Sequence, residues 1–228
     1  MSKSVLFIVS NANKIGPNDR DTGNYLPEVA HPYAAFTAEG YGIDIASTNG
    51  GEAPVDGLEL TDDEMNVSFL EGKGIRQMNQ TLKVQDVTIE DYDAIFVPGG
   101  LGPMVDMPEN TQIQKAIAET YDRGAVVGAV CHGPASLLNV KLADGSLLIE
   151  GKNLTSFTNA EEEGYAKEDV PFLLESALVE RGAKFASVAP WEANSIADGR
   201  LVTGQNPASA LGVAEKMIEI LASSAVEA

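Results

Sequence analysis

The sequence predicts an α/β fold in which helices cover both faces of a mostly parallel sheet. Short apolar segments alternate along the chain with stretches of helical periodicity, which is the pattern of such folds. Several of these segments are apolar throughout, as expected of strands buried on both faces. The chain has 228 residues, 44% of them hydrophobic, and is long enough to bury a large core. We therefore expect a single domain over residues 1–228.

Seven segments are predicted strands because they are rich in β-branched and apolar residues. They are residues 5–10, 42–47, 94–97, 125–130, 184–188, 194–197 and 200–203. The last two flank Asp198-Gly199, a dipeptide typical of tight hairpin turns. The sequence therefore predicts a C-terminal hairpin.

Four helices are predicted between and after these strands, at residues 25–39, 111–123, 171–181 and 208–222. Pro27 fits the first turn of the first helix, where its missing N–H is not needed. Gly124 and Gly182 follow the next two helices, as is typical at helix C-termini. Residues 48–92 break the pattern and are too many for a simple connection. We expect them to form an insertion packed on the domain near the functional site.

The charge balance limits the class of partner. The net charge of -19 repels nucleic-acid phosphates and anionic membrane surfaces, so neither is expected to bind. Apolar runs are too short for a signal-peptide core or a membrane span. A single cysteine excludes an intramolecular disulfide, and together these features favour a cytoplasmic protein. One cysteine and two histidines offer no recognisable zinc-ligand spacing, so no metal is expected.

The segment around Cys131 predicts a nucleophile on a strand-to-helix turn. An apolar strand leads into Cys131-His132-Gly133-Pro134, and a helical run follows. A side chain at this turn lies above the carboxyl end of the sheet, where α/β folds place their sites. A helix N-terminus there would favour a thiolate and lower the pKa of Cys131. The alternative is a buried, unreactive cysteine.

A glycine-rich loop follows another buried strand at Pro98-Gly99-Gly100. Its backbone N–H groups could stabilise an oxyanion, with Gly100 the first choice and Gly99 beside it. The backbone N–H of His132 is a second predicted oxyanion donor. The glycine spacing matches neither a P-loop nor a dinucleotide fingerprint, so phosphate binding is not predicted.

Three motifs carry a family resemblance. They are Val97-Pro98-Gly99-Gly100-Leu101-Gly102, Ala129-Val130-Cys131-His132-Gly133-Pro134 and Phe157-Thr158-Asn159-Ala160-Glu161-Glu162-Glu163. With these motifs the chain resembles the ThiJ/PfpI superfamily, whose fold is a flavodoxin-like three-layer sandwich of the class I glutamine amidotransferase type. It is most similar to the small heat-inducible chaperone branch, which includes glutathione-independent glyoxalase III enzymes.

The resemblance implies a role for four residues. Cys131 matches the family nucleophile, and Glu28 matches the glutamate that lies against its sulfur. His132 matches the histidine after the nucleophile, and Glu162 matches the acidic residue that orients it. Because three glutamates are consecutive, this last match could shift by one position, and the other two are expected on the solvated start of a helix. Taken without the resemblance, Glu28 would be an ordinary surface carboxylate.

The resemblance also implies an activity. Methylglyoxal or a related 2-oxoaldehyde would form a hemithioacetal with Cys131 and leave as a 2-hydroxy acid, with no external cofactor. Repulsion from a thiolate would raise the pKa of Glu28. The late His-x-Glu pair of glutaminases is absent, since the chain's two histidines are His31 and His132. Glutamine hydrolysis is therefore not expected.

Three alternatives stay open at this point. A holdase chaperone would bind unfolded proteins on an exposed apolar patch. A cysteine hydrolase or deglycase would use the same thiolate on a peptide, an amide or a glycated adduct. A redox sensor would oxidise Cys131 reversibly. The resemblance also favours a homodimer.

Overall fold

The structure, a computed structural model, describes residues 3–224. Within them, the central sheet has the strands β1 (Ser4–Val9), β2 (Gly42–Ser47), β3 (Leu82–Lys83), β4 (Ala94–Val97), β5 (Val126–Val130), β6 (Ser195–Asp198) and β7 (Leu201–Gly204). They lie in the order β6-β7-β5-β4-β1-β2-β3. All neighbours are parallel except the antiparallel pair β6 and β7. The predicted mostly parallel sheet and C-terminal hairpin are both confirmed.

Helices cover the sheet on both faces. They are α1 (Leu26–Ala38), α2 (Glu64–Glu71), α3 (Lys73–Asn79), α4 (Pro103–Asp106), α5 (Thr111–Asp122), α6 (Asn159–Glu163), α7 (Leu174–Glu180) and α8 (Ala210–Ser224). Alternate residues of β1 enter two separate cores, as the two-residue period of a strand requires. Leu6 packs in the core that contains α5, and Phe7 packs in the core that contains α1 and α8. The result is the three-layer sandwich that the resemblance implies.

No helix within residues 3–224 combines the length and the apolar character needed to cross a bilayer.

Helix α1 carries Glu28 in its first turn. Pro27 lies at the start of the helix, as predicted, and the chain stays helical through Pro32. Because proline has no N–H, Pro32 cannot donate the usual hydrogen bond to the carbonyl of Glu28. The buried face of α1 includes Leu26, Glu28 and Val29, so one carboxylate shares the apolar face.

Residues 48–92 contribute a strand to the main sheet as well as helices packed on the domain. Helices α2 and α3 follow one another beside α1, while β3 pairs with Ala46 and Ser47 of β2 and extends the main sheet. Val55–Asp56 pairs with Asn24–Tyr25 just before α1. This segment thus fixes the start of α1.

The strand predicted at residues 184–188 is wrong for most of its length. Only Lys184–Phe185 is extended, and it pairs with Asn153–Leu154 outside the main sheet. The N–H of Val188 donates instead to the side chain of Gln205. Pro190 has no N–H for a ladder, so strand pairing does not resume after Phe185, and residues 186–193 are exposed.

The core around Phe7 supports a stability prediction. Its ring contacts Phe36 and Phe96 at centroid distances of 6.0 and 4.9 Å. Phe7→Ala should lower the free energy of unfolding by about 3–5 kcal/mol, because the cavity it leaves can close only in part. Urea denaturation measures the difference. Leu58, whose side chain is 52% exposed, is the control. Leu58→Ala should change the free energy by less than about 0.5 kcal/mol, and equal losses in the two variants would contradict the packing described.

Candidate active site

Cys131 lies on a strained turn directly after β5. Its φ of 60° is in the left-handed region that residues other than glycine rarely adopt. Two hydrogen bonds hold the turn: the N–H of Cys131 donates to the carbonyl of Gly204, and its own carbonyl accepts from the N–H of Phe157, both at 2.9 Å. A short 3₁₀ helix, Gly133–Leu137, follows. The predicted strand-to-helix elbow is therefore present.

A buried chain of contacts links the thiol to a carboxylate. Cys131 Sγ lies 3.4 Å from His132 Nδ1, and His132 Nε2 lies 2.7 Å from Glu162 Oε2. A carboxylate only accepts, so Nε2 carries the proton and Nδ1 is free to accept one from the thiol. The His132 ring also packs on Phe157, with 4.4 Å between centroids. The arrangement can take a proton from sulfur.

The three consecutive glutamates at the start of α6 lie in different surroundings. Thr158 caps the helix, and Glu161 accepts from both its N–H and its hydroxyl. Glu161 and Glu162 are buried, whereas Glu163 is exposed and pairs with Lys167 at 2.6 Å. The expectation that two of the three lie on a solvated surface is therefore wrong, because the capping box turns the side chain of Glu161 inward. Glu162 is the one that contacts His132, as the resemblance implies.

Glu28 is fully buried against Cys131, so the alternative of a surface carboxylate is wrong. Burial raises its pKa to about 8, although the Cys131 thiol and the N–H groups of Gly99 and Gly100 lower it in part. Within residues 3–224, neither carboxyl oxygen has a well-formed hydrogen bond to compensate the burial. The direction of the predicted shift is confirmed. Its main cause is loss of hydration rather than repulsion.

The glycine loop admits this contact because it has no side chains. A Cβ on Gly99 would collide with the Glu28 carboxylate and with the Cβ of Cys131. Gly100 has a φ of 89°, and a Cβ there would collide with the carbonyl of Gly23. Gly99 lies behind Glu28, while Gly100 reaches the cavity.

Burial also raises the pKa of the Cys131 thiol well above its ordinary value, and a charged Glu28 would raise it further. The N–H groups of Gly100 and His132 lower it in part. The expected lowering by a helix N-terminus is wrong, because the five-residue 3₁₀ turn Gly133–Leu137 contributes less than desolvation. Two buried acids in contact do not both ionise at neutral pH. Nδ1 of His132, 3.4 Å from the sulfur, is placed to accept the proton of the thiol.

Cys131 opens onto a cavity of about 160 Å³. Its wall consists of Tyr25, Glu28, Gly100, Cys131, His132, Phe157, Tyr165, Trp191 and Pro207. The thiol is thus reachable, which argues against a sealed and unreactive cysteine. Nothing in the sequence pattern marks Tyr25, Tyr165 or Pro207 for this wall. A larger cleft of about 610 Å³, lined in part by Lys14 and Phe172, contains neither cysteine nor histidine.

No group of three or more histidine, cysteine or acidic side chains within the described part of the chain is placed to hold a metal ion. The groups around the sulfur are suited to acid–base and nucleophilic chemistry: a thiol, an imidazole, a carboxyl with a raised pKa and two N–H groups.

Known proteins are similar to this chain in sequence and fold. Residues 25–220 match the DJ-1/PfpI family. The glutathione-independent glyoxalase HSP31 of Saccharomyces cerevisiae is 36% identical over 96% of this chain and 98% of its own length. The structure of glyoxalase III from Candida albicans has a TM-score of 0.86 at 30% identity, covering 96% of this chain and 97% of that one. The Rapid Encystment Protein 24 kDa of Francisella tularensis has a TM-score of 0.91 at 37% identity, covering 96% of this chain and 99% of that one.

The buried carboxyl predicts how stability depends on pH. A folded-state pKa of about 8, against an ordinary 4.5, means that folding favours the protonated form of Glu28. This contribution is complete below about pH 4.5, where the unfolded chain also holds the proton, and is lost progressively between pH 4.5 and about 8. Relative to Glu28→Gln, the wild type should lose up to about 1.4 kcal/mol of unfolding free energy per pH unit across this window. Urea denaturation of both proteins at several pH values measures the difference, and parallel curves would contradict it.

Proposed function

The chain belongs to the DJ-1/PfpI family, and we propose that it is a glutathione-independent glyoxalase. It converts methylglyoxal and related 2-oxoaldehydes to 2-hydroxy acids through a hemithioacetal on Cys131. The observation that carries this proposal is the contact chain from Cys131 through His132 to Glu162, with Glu28 on the other side of the sulfur. Relatives named glutathione-independent glyoxalase, alike over nearly the whole chain, support the same activity.

The size of the cavity supports a small substrate. A volume of about 160 Å³ suits a molecule of a few heavy atoms, whereas ligand sites for larger molecules are typically about 300–1,000 Å³. A peptide also needs an open groove. The cavity therefore favours the glyoxalase over a cysteine hydrolase that acts on peptides.

The first step joins sulfur to the aldehyde carbon. Nδ1 of His132 takes the thiol proton while the sulfur lone pair forms the S–C bond. The carbonyl electrons move to oxygen, where the N–H groups of Gly100 and His132 stabilise the oxyanion. The imidazolium returns the proton to this oxygen and leaves a neutral hemithioacetal with Nδ1 free again.

The second step moves hydrogen between neighbouring carbons. Nδ1 takes the proton from the former aldehyde carbon, and Glu28 gives its proton to the adjacent carbonyl oxygen, so an enediol forms. The imidazolium then protonates the second carbon, and the first hydroxyl returns a proton to Glu28. One carbon is oxidised to a thioester and the other is reduced to a secondary alcohol. Water hydrolyses the thioester and restores the thiol.

Each carboxyl group has its own role in this scheme. Glu28 must hold a proton at neutral pH, which agrees with a pKa of about 8. Glu162 must be charged, because it keeps the proton of His132 on Nε2 and stabilises the imidazolium. The surroundings of the two side chains differ accordingly: Glu28 is buried against a thiol, whereas Glu162 accepts the N–H of His132 at 2.7 Å.

Replacing the nucleophile tests the proposal directly. Cys131→Ala should reduce lactate formation from methylglyoxal to less than about 1% of the wild-type rate, because no covalent intermediate can form. The assay contains no glutathione and detects lactate as well as loss of methylglyoxal. Circular dichroism confirms that the variant is folded. A folded variant with wild-type turnover would rule out the cysteine mechanism.

The adjacent glutamates provide a matched pair of variants. Glu162→Gln should lower kcat/KM for methylglyoxal by about 100-fold or more, because an uncharged amide stabilises the imidazolium less. Glu163→Gln makes the same chemical change one residue further along, at an exposed side chain. It should keep kcat/KM within about twofold of the wild type. If the two variants behave alike, Glu162 does not act on His132.

A further inference from the structure

Trp191 is conformationally unusual. Its φ of 68° lies in the left-handed region that bulky residues rarely adopt, and its side chain is 53% exposed. Its ring nevertheless lines the cavity above Cys131. It contacts Phe157 at 5.4 Å and Tyr165 at 6.1 Å between centroids, edge to face in both pairs. Such a backbone conformation persists only where the surroundings enforce it.

The backbone N–H of Trp191 is bound by Glu161. Its Oε1 accepts from the backbone N–H of Trp191 at 2.8 Å and from the side-chain amides of Asn206 at 2.8 Å and Gln205 at 3.3 Å. Its Oε2 accepts from the N–H and hydroxyl of Thr158. Five donors therefore converge on one carboxylate that is 1% exposed. It joins the start of α6, the loop before α8 and the loop that carries Trp191.

The hydrogen bonds that hold this loop also include the residue after Trp191. The side-chain amide of Asn206 also donates to the carbonyl of Glu192 at 2.7 Å. Burial alone would raise the pKa of Glu161, but the hydrogen bonds from Asn206, Trp191 and Thr158 bring it below its ordinary value. Glu161 is thus a charged acceptor at neutral pH. It does not contribute to the cavity wall, so it can affect the cavity only through what it holds.

The cavity has a polar side and an aromatic side. The polar groups surround the sulfur: Glu28, His132 and the N–H of Gly100. The rings of Phe157, Tyr165 and Trp191 provide most of the remaining wall. Any part of a substrate bonded to the sulfur that lies beyond the polar groups has these rings as its neighbours.

We propose that Trp191 is a specificity-determining residue and that Glu161 is the positioning residue that holds it. Trp191 closes the cavity so that 2-oxoaldehydes with a small apolar substituent, such as methyl, react and bulky ones do not. The identity of the substrate rests on the proposed function. The closure of the cavity by Trp191 does not depend on the identity of the substrate, because it is measured as the access of reagents to the Cys131 sulfur.

The chain has one cysteine and one tryptophan, so two measurements report on this site without any turnover. Alkylation with iodoacetamide and with the bulkier N-ethylmaleimide compares the access of small and large reagents to Cys131. Steady-state fluorescence anisotropy reports the mobility of the Trp191 ring. Turnover of methylglyoxal and phenylglyoxal gives the corresponding comparison for substrates.

Trp191→Ala should open the cavity. The ratio of the N-ethylmaleimide rate to the iodoacetamide rate should rise about tenfold, and so should the kcat/KM ratio of phenylglyoxal to methylglyoxal. Ratios equal to those of the wild type, in a variant that still forms lactate, would overturn the inference. If neither the wild type nor the variant forms lactate but the alkylation ratio rises, the closure by Trp191 stands and the glyoxalase proposal fails.

Glu161→Gln tests the positioning role, and Glu163→Gln is its matched control. The amide cannot accept from all five donors, so the anisotropy of Trp191 should fall and both ratios should shift as in Trp191→Ala. Glu163→Gln should change none of the three readouts. If Glu161→Gln does not fold, Asn206→Ala takes its place, because it removes the link to both Glu161 and Glu192. A folded variant with unchanged anisotropy and unchanged ratios would assign Glu161 to stability alone.

Discussion

A carboxyl group buried against a thiol keeps its place only if one of the two acids holds a proton. Glu28 and Cys131 are in this position, and the surrounding backbone is shaped around their contact. Gly99 leaves room for the carboxylate, and the left-handed turn at residue 131 directs the sulfur toward it. At neutral pH both hold their protons, because burial raises the pKa of Glu28 to about 8 and that of Cys131 well above its ordinary value. A proton-donating carboxylic acid then faces the sulfur on one side, while the imidazole of His132 faces it on the other.

The short helix α6 organises the opposite side of the cavity. One capping box fixes the rotation of three consecutive glutamates, so that each meets a different environment. Glu162 accepts from His132, Glu161 accepts from the loop of Trp191, and Glu163 faces solvent. The orientation of the base and the closure of the cavity therefore depend on the same helical turn. A change in the cap at Thr158 would affect both.

Local sequence patterns predict the elements whose structure depends on nearby residues alone. The apolar runs at β1, β4 and β5 and the hairpin around Gly199 follow from composition and turn chemistry. The two-residue strand β3 has no pattern of its own, because pairing with β2 alone makes it extended. Residues 184–188 are predicted as a strand, but the side chain of Gln205 competes for the backbone N–H of Val188.

The site, like the fold, has features that follow from the local sequence and features that depend on residues far apart in the chain. The elbow at Cys131 follows from an apolar strand, a glycine and a proline in sequence. The burial of Glu28 does not, because it depends on a loop about 70 residues later that closes over the first turn of α1. The nearest helix end predicts a lowered pKa for Cys131, whereas long-range desolvation raises it. The cytoplasmic location, the homodimer and the binding of unfolded proteins stay predictions.

Infrared difference spectroscopy tests the protonation of Glu28 most directly. Subtracting the spectrum of Glu28→Gln from that of the wild type cancels the other carboxyl groups, including the buried Asp106. The difference should contain the carbonyl stretch of a protonated carboxylic acid at neutral pH, and the band should disappear as the pH rises through about 8. If the band is absent at neutral pH and the carboxylate band is present instead, Glu28 is charged beside the sulfur and cannot donate the proton that the second step requires.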